Sequence, residues 1–190
     1  MKKLFLLVLF VLLGAFIFAD GGENKRGFYL SFGGGPAYVS YTKELDDVLT
    51  MIEDLGGDRI TFSMNLSLGY AVTDNLYAIG NITAYGDRID KDKDYMQINT
   101  YLYAVGIKYF PFTTGLFLGT NFGTSVMLLQ SNLTETISSE PGTGLDFVLG
   151  YDFDRTSTGF GLQIGIKASG YTVEDDTIGA STFFVNLVWK

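Results

Sequence analysis

The sequence predicts an all-β protein, an eight-stranded antiparallel up-and-down transmembrane β-barrel, and three observations carry that prediction. Segments long enough to cross a bilayer alternate large apolar side chains with small or polar ones. Short turn-rich connections alternate with long, charged ones. The face opposite the apolar one holds Thr, Ser, Asn, Gly and Ala rather than the Lys and Glu of a water-facing sheet. Strict period two sends successive side chains to opposite faces of a strand and cannot draw a helix face.

In chain order, Met1-Lys2-Lys3 precedes an apolar run from Leu4 to Phe18, then Ala19 and the polar Asp20-Gly21-Gly22-Glu23-Asn24. This is the layout of a secretory signal peptide over residues 1–19, with residues 20–190 forming the barrel. The rival reading, an N-terminal anchor, asks for the ~20 apolar residues of a spanning helix, which this run does not reach.

The first strand, 27–41, alternates Phe28, Leu30 and Phe32 with Tyr29, Ser31 and Gly33, and Gly33-Gly34-Gly35-Pro36 marks a bend or bulge. The second, 60–72, is faultless: Ile60, Phe62, Met64, Leu66, Leu68, Tyr70 and Val72 against Thr61, Ser63, Asn65, Ser67, Gly69 and Ala71. The spans 76–86 and 96–110 are β-rich with mixed faces, so the sides of Tyr77 and Ile79 stay open. In 116–129, Leu116, Leu118, Phe122, Val126 and Leu128 oppose Gly119, Asn121, Gly123 and Ser125. In 144–153, Leu145, Phe147, Leu149, Tyr151 and Phe153 oppose Asp146, Val148, Gly150 and Asp152. Phe160, Leu162, Ile164 and Ile166 set the apolar face of 158–170, and Phe183, Val185, Leu187 and Trp189 that of 180–190.

Connections at 73–75, 111–115 and 154–157 are short, whereas those at 42–59, 87–95, 130–143 and 171–179 are long and carry most of the charge. This asymmetry is that of periplasmic turns and extracellular loops. In the first long loop Leu45, Val48, Leu49, Ile52 and Leu55, followed by Gly56-Gly57, predict a short amphipathic helix. It reads as a cap over the barrel mouth or a segment at the membrane surface, with a partner-binding or gating lid as the alternative. Aromatics gather at both strand ends: Tyr70, Tyr109, Phe110, Phe112, Phe117, Tyr151, Phe153 and Trp189 by the turns, and Tyr38, Tyr41, Tyr85, Tyr95 and Tyr171 by the loops. Two interfacial girdles are expected there.

Composition closes off much chemistry. With no Cys there is no disulfide, thiolate nucleophile or zinc ribbon, and with no His there is no Ser-His-Asp catalysis or imidazole ligand. The net charge of -8 falls to -10 without the two leader lysines, which argues against nucleic acid as a partner. Gly, at 24 of 190 residues, is nearly twice the usual ~7% and suits a narrow lumen. A soluble lipocalin-type barrel is the alternative architecture, with its apolar face turned inward.

Several segments resemble the small eight-stranded outer-membrane barrels of the OmpX/OmpA-like type. They are Gly27-Phe28-Tyr29-Leu30, Gly69-Tyr70-Ala71-Val72-Thr73-Asp74-Asn75-Leu76-Tyr77, Gly106-Ile107-Lys108-Tyr109-Phe110-Pro111 and Leu149-Gly150-Tyr151-Asp152-Phe153. The ending, with Phe183, Val185, Leu187 and Trp189 in alternation, is similar to the signal read by the barrel-insertion machinery, departing from it by placing Lys190 after Trp189. The resemblance implies a bacterial outer-membrane location, with membrane lipid and that machinery as partners. Enzymes of this architecture, the lipid A acyltransferases and deacylases, depend on a His that this chain lacks.

Smaller features remain. Asp90-Lys91-Asp92-Lys93-Asp94 begins like a calcium loop, but Tyr95 and Tyr101 stand where Gly and Glu are needed, so a solvated loop tip is expected and no metal or cofactor is assigned. The sequons Asn81-Ile82-Thr83 and Asn132-Leu133-Thr134 carry no weight beside a bacterial export signal and barrel pattern. Asp146 and Lys167 fall on neighbouring strands on the lumen face, with Lys108, Asp152 and Lys190 as further interior charges. Counting from a turn near Arg155 pairs Asp146 with Gly165 and sets Lys167 one diagonal step away, as a lumen ion pair or a polar constriction. The functional expectation is a non-enzymatic barrel presenting acidic extracellular loops for adhesion, envelope integrity or an extracellular partner. The alternative is a narrow OmpW-like conduit for small or hydrophobic solutes.

Overall fold

Period-two sorting leaves each strand with two incompatible faces, and a closed sheet is the arrangement that separates them without leaving an edge. The computed structural model describes residues 27–133, 135–174 and 176–190; the leader assigned to residues 1–19 lies outside them. The strands are β1 (Phe28–Ser40), β2 (Asp58–Ala71), β3 (Leu76–Lys91), β4 (Asp94–Tyr109), β5 (Leu116–Ser131), β6 (Ile137–Ser138), β7 (Gly142–Asp152), β8 (Phe160–Val173) and β9 (Asp176–Trp189). One helix, α1 (Lys43–Asp54), lies between β1 and β2. Every ladder is antiparallel between chain neighbours, β1 pairs with β9, and the two-residue β6 hangs on β5 while β7 takes the next place in the wall. The result is a closed barrel of eight staves.

The outer face is the apolar one. Phe32, Ile60, Met64, Val105, Phe122, Phe147, Ile166 and Leu187 all point away from the lumen, Val105 with 73% of its surface open. From the turns up to Ala84, Tyr101 and Leu128 no charged side chain points outward on the described staves. Within the belt only uncharged Thr120, Thr124 and Ser181 interrupt the outward apolar face, and the outward residues Arg88, Asp90, Gln97, Asn99 and Gln130 lie beyond it at the loop end. A water-facing sheet does not carry so wide an apolar surface, which disposes of the lipocalin alternative.

The mixed faces of β3 are now assigned. Tyr77, Ile79, Tyr85 and Ile89 point inward and Ala78, Gly80 and Ala84 outward, so large apolar groups here fill the lumen. The same reason corrects the girdles: Phe110, Phe117, Tyr41, Tyr85 and Tyr171 are buried inside rather than ringed around the outside. Room for them comes from glycines directly across the ladder. Phe117 lies over Gly150, Phe184 over Gly165 and Tyr171 over Gly144, where a Cβ would stand 2.4, 2.6 and 2.6 Å from the ring. At these three positions glycine is the counterpart of a large inward side chain.

Two expected long loops are strand instead. β3 and β4 pair out to Lys91↔Asp94, leaving Asp92-Lys93 as the tip, with Asp92 at φ 56. β8 and β9 pair out to Val173↔Asp176. Cross-strand pairs such as Asp90↔Tyr95 continue the ladder past the apolar belt, so polarity there marks a protruding hairpin rather than a loop. In β7–β8 the register also differs from the reckoning: Asp146 pairs with Ser169, not Gly165. The chain turns about Ser157, two residues after Arg155, because β7 ends at Asp152 and β8 begins at Phe160.

The predicted helix forms. Glu44 and Asp46 occupy its first turn, where carboxylates suit the helix dipole, and Asp46 accepts from the Tyr41 backbone N–H at 3.1 Å. Gly56, at φ 90, ends it, donating to the Glu53 carbonyl at 2.8 Å; a side chain there would meet the left-handed backbone penalty.

Candidate functional site

Three layers of side chains fill the lumen between the turn end and the loop end. At the turn end Tyr29, Tyr77, Phe110 and Phe117 form a continuous aromatic stack with successive centroids 5.7, 5.7 and 5.6 Å apart. Arg155 folds beneath it, its guanidinium carbon 3.8 Å above the Phe110 ring, and donates to Asn75 Oδ1 at 3.1 Å and to the Asp74 carbonyl. Lys190 Nζ turns in to Asp152 at 2.9 Å, so the residue that departs from the usual barrel ending is spent on an interior ion pair. Asp152 in turn accepts from Gln163 Nε2 at 2.7 Å, and Gln163 Oε1 accepts from Lys108 Nζ at 3.0 Å.

The waist is polar. Asp146 and Lys167 both point into it, but they meet through a third residue. Lys167 Nζ donates to Thr83 Oγ1 at 3.1 Å, and Thr83 donates to Asp146 Oδ2 at 3.3 Å. Asp146 is wholly buried, with Tyr171 as its second donor at 3.4 Å. A hydroxyl serves here because it accepts from an ammonium with one lone pair and donates its proton to a carboxylate. Asparagines and hydroxyls complete the layer: Asn65 donates to Asn186 at 3.1 Å, Ser67 to Asn81 at 2.7 Å, and Ser63 shares a proton with Thr182 at 2.8 Å. The space left over is about 30 Å³.

Above the waist the lumen is apolar again. Val39, Tyr85, Ile89, Ile98, Leu102 and Ile178 close around Leu49 of α1, with Leu45 and Ile52 packed alongside. The helix therefore plugs the loop-end mouth with one stripe. Its other side leaves Val48, Met51 and Leu55 exposed, three and four residues apart. Arg59, just after the helix, grips buried Asp87 through two hydrogen bonds of 2.9 and 2.6 Å and reaches Glu53 at 3.5 Å. The bonded carboxylate raises the guanidinium above its already high value. Neither residue stood out in the sequence, since both fell within expected loops. Asn132 is a second such case: it donates to the Lys93 carbonyl at 3.1 Å and accepts from Tyr95 N–H at 3.0 Å, pinning the β3–β4 hairpin to β5.

Charge is divided as sharply as polarity. The four segments at the loop end, 42–59, 87–95, 130–143 and 171–179, hold fifteen of the 21 Asp and Glu residues and five of the 13 Lys and Arg. That difference alone equals the charge of the chain without its leader. Of the insertion-signal residues, Phe183, Val185 and Leu187 are exposed on the outer face and Trp189 is half-buried on the same side. A shallow apolar groove of about 890 Å³ crosses the outer face over Tyr38, Ile107, Phe147, Ile166 and Phe183, within the belt.

No protein-family model and no curated protein matches the chain. Solved structures do. Neisserial surface protein A (NspA) superposes with a TM-score of 0.57 at 17% identity, covering 86% of this chain and 96% of that one. Ail, the attachment invasion locus protein of Yersinia pestis, gives 0.56 at 13% identity over 85% of this chain and 97% of its own, and its complex with the heparin analogue sucrose octasulfate gives 0.54 at 14% identity. The fold is that of the eight-stranded outer-membrane barrels.

Proposed function

We propose that the protein is a non-enzymatic integral component of the outer membrane of a diderm bacterium, exported by residues 1–19 and seated through the alternating Phe183, Val185, Leu187 and Trp189. Its work is done at the acidic loop end, in adhesion or envelope integrity, by holding a basic extracellular partner. The observation that carries this reading is the combination of a lumen stoppered at both mouths with a charge of about ten units gathered outside one of them. With solute passage blocked, the exposed rim is the surface left for function.

The rim supplies both parts of a contact. Val48, Met51 and Leu55 form an exposed apolar stripe, and Glu44, Asp47 and Asp54 flank it. A basic amphipathic segment complements that pattern, because charge steers encounter while apolar area holds the complex. Ail was crystallised with a sulfated heparin analogue; a polyanion of that kind meets like charge at the loop end here and is rejected. The conduit alternative requires both plugs to move at once, and the absence of His and Cys supports a non-enzymatic role.

The test uses refolded protein in lipid vesicles and planar bilayers at about 0.15 M salt, where charges beyond ~8 Å are screened. The expected result is capture of polylysine but not heparin, loss of capture when Glu44→Lys, Asp47→Lys and Asp54→Lys are combined, and no single-channel steps. Heparin capture, or discrete conductance steps, overturns the proposal. Heat-modifiable gel migration reports correct barrel formation in the same samples.

A further inference from the structure

On the outer wall the ladders bring two small residues between two large ones. The order across the strands is Phe147 on β7, Ala168 on β8, Ser181 on β9 and Tyr38 on β1. Phe147 and Tyr38 are exposed and stand out from the wall on either side. The outer-face groove of about 890 Å³ passes between them over Ala168 and Ser181. Toward the turns the next outward pair on the same two strands is Ile166 and Phe183, which bounds the hollow below. Toward the loops the next outward pair is Gly170 and Gly179, so the low floor continues upward. Lys167 underlies the groove, but its ammonium is turned into the lumen on Thr83.

The two glycines have no explanation inside the protein. At Gly144, Gly150 and Gly165 a Cβ would strike an aromatic ring, whereas at Gly170 and Gly179 it meets nothing within 4 Å. Neither has a left-handed backbone. Glycine weakens a strand interior, and where neither a turn nor a neighbour requires it, it marks the close approach of a group from outside.

That group is lipid, because the hollow lies within the apolar belt and is continuous with the bilayer around it. A second copy of the chain fits poorly: a two-fold axis would set hollow against hollow and leave a void between the flanking rings. Above the glycines come outward Thr172 and Thr177, paired near the end of the ladder, and then exposed Glu174 and Asp176. Two carboxylates above two hydroxyls suit a headgroup that ends in an ammonium and repel one of net negative charge.

We propose that the β8–β9 trough holds one acyl chain of an aminophospholipid, a glycerophospholipid whose phosphate is balanced by a terminal ammonium, with that ammonium beside Glu174 and Asp176. The chain lies flat on Ala168, Gly170, Gly179 and Ser181 and is walled by Phe147 and Tyr38. The inference rests on insertion of the barrel into a bilayer and not on what the acidic loops bind.

The experiment refolds the full chain into vesicles of equal parts phosphatidylethanolamine and phosphatidylglycerol, extracts it in mild detergent and weighs it by native mass spectrometry. The expected species is a barrel carrying one phosphatidylethanolamine. Gly170→Leu places a side chain in open space on the trough floor. It is expected to keep heat-modifiable migration and to cut the retained lipid roughly tenfold, the effect of about two methylenes kept from contact. Glu174→Lys combined with Asp176→Lys is expected to exchange phosphatidylethanolamine for phosphatidylglycerol. A bare native barrel, phosphatidylglycerol on the native barrel, undiminished lipid in Gly170→Leu, unchanged lipid in the lysine variant, or a dimer that Gly170→Leu splits each overturns the inference. Where Gly170→Leu fails to insert, Ser181→Leu in the same trough takes its place with the same two outcomes. A native chain without heat-modifiable migration overturns the membrane reading itself, which is a distinguishable failure.

Discussion

The two mouths of the barrel are closed by different means. At the turn end the stopper is built from the wall itself: Tyr29, Tyr77 and Phe117 are strand residues, and Asp152 on β7 holds Lys190 next to the end of β9. At the loop end the stopper is an added part, the helix α1, which enters between β1 and β2 and is fixed mainly by Leu49, Leu45 and Ile52. The first closure cannot open without breaking the ladders that define the barrel. The second can open with the ladders intact, because its apolar contacts belong to a segment tethered at its two ends. Stability is therefore expected to be uneven, with the turn end moving as part of the global unit and the loop end as a separate, weaker one.

The hardest test of that contrast is Asp152→Ala. It leaves Lys190 unpaired in a buried site and removes the acceptor that orders Gln163 beneath Lys108. A loss of about 3–5 kcal/mol in global stability is expected, as for other broken buried pairs, read as a shift in the urea midpoint of the refolded barrel. Leu49→Ala comes next, at about 2–4 kcal/mol for a truncated core leucine. Here hydrogen exchange should accelerate in α1 and its flanks while β-ladder amides near Asp152 keep their protection. Equal acceleration in both places would show that the mouths are one cooperative unit.

Asp87→Asn is a finer probe, since it keeps the size of the side chain, removes its negative charge and leaves one acceptor where Arg59 now has two. A cost of about 1–2 kcal/mol is expected, confined again to loop-end exchange rates. The smallest effect belongs to the exposed pair Arg88–Asp90, joined at 2.6 Å. Its guanidinium holds the Asp90 carboxyl below the usual carboxylate range. The folded value is thus depressed, so what the pair contributes is present above the ordinary ~3.9 and is lost as pH falls through the lower folded value. Titration of Asp90 by NMR should show that depression, and Arg88→Ala is expected to lower the unfolding midpoint at neutral pH only slightly, less than any change above.

Much of the architecture is legible in the sequence. The eight staves, the outward apolar face of β2, β5, β7, β8 and β9, and the helix ending at Gly56 all follow from local patterns. The rule that large apolar residues face out failed in β3, because Tyr77, Ile79, Tyr85 and Ile89 build the plugs rather than the belt. Two hairpins are longer than the sequence pattern indicates, for a related reason. Beyond the apolar belt a ladder needs no apolar face, so Asp87 to Tyr95 reads as loop while pairing as strand.

The candidate site was legible only in part. Lumen placement of Asp146 and Lys167 follows from parity, and parity is unchanged by a slip of two or four residues. The actual pairing of Asp146 with Ser169 instead of Gly165 is such a slip, and no periodicity could report it. Alternation is a property of each strand alone, so the sequence by itself determined the two faces of β2, β5, β7, β8 and β9, though not which face of β3 turns inward. Which interior groups touch is a property of register and closure. Only the tertiary structure brought Thr83 between Lys167 and Asp146, set Lys190 on Asp152 and left Lys108 without a carboxylate, because each of those contacts joins strands whose relative shift is fixed by turns and by the closing pair of β1 and β9.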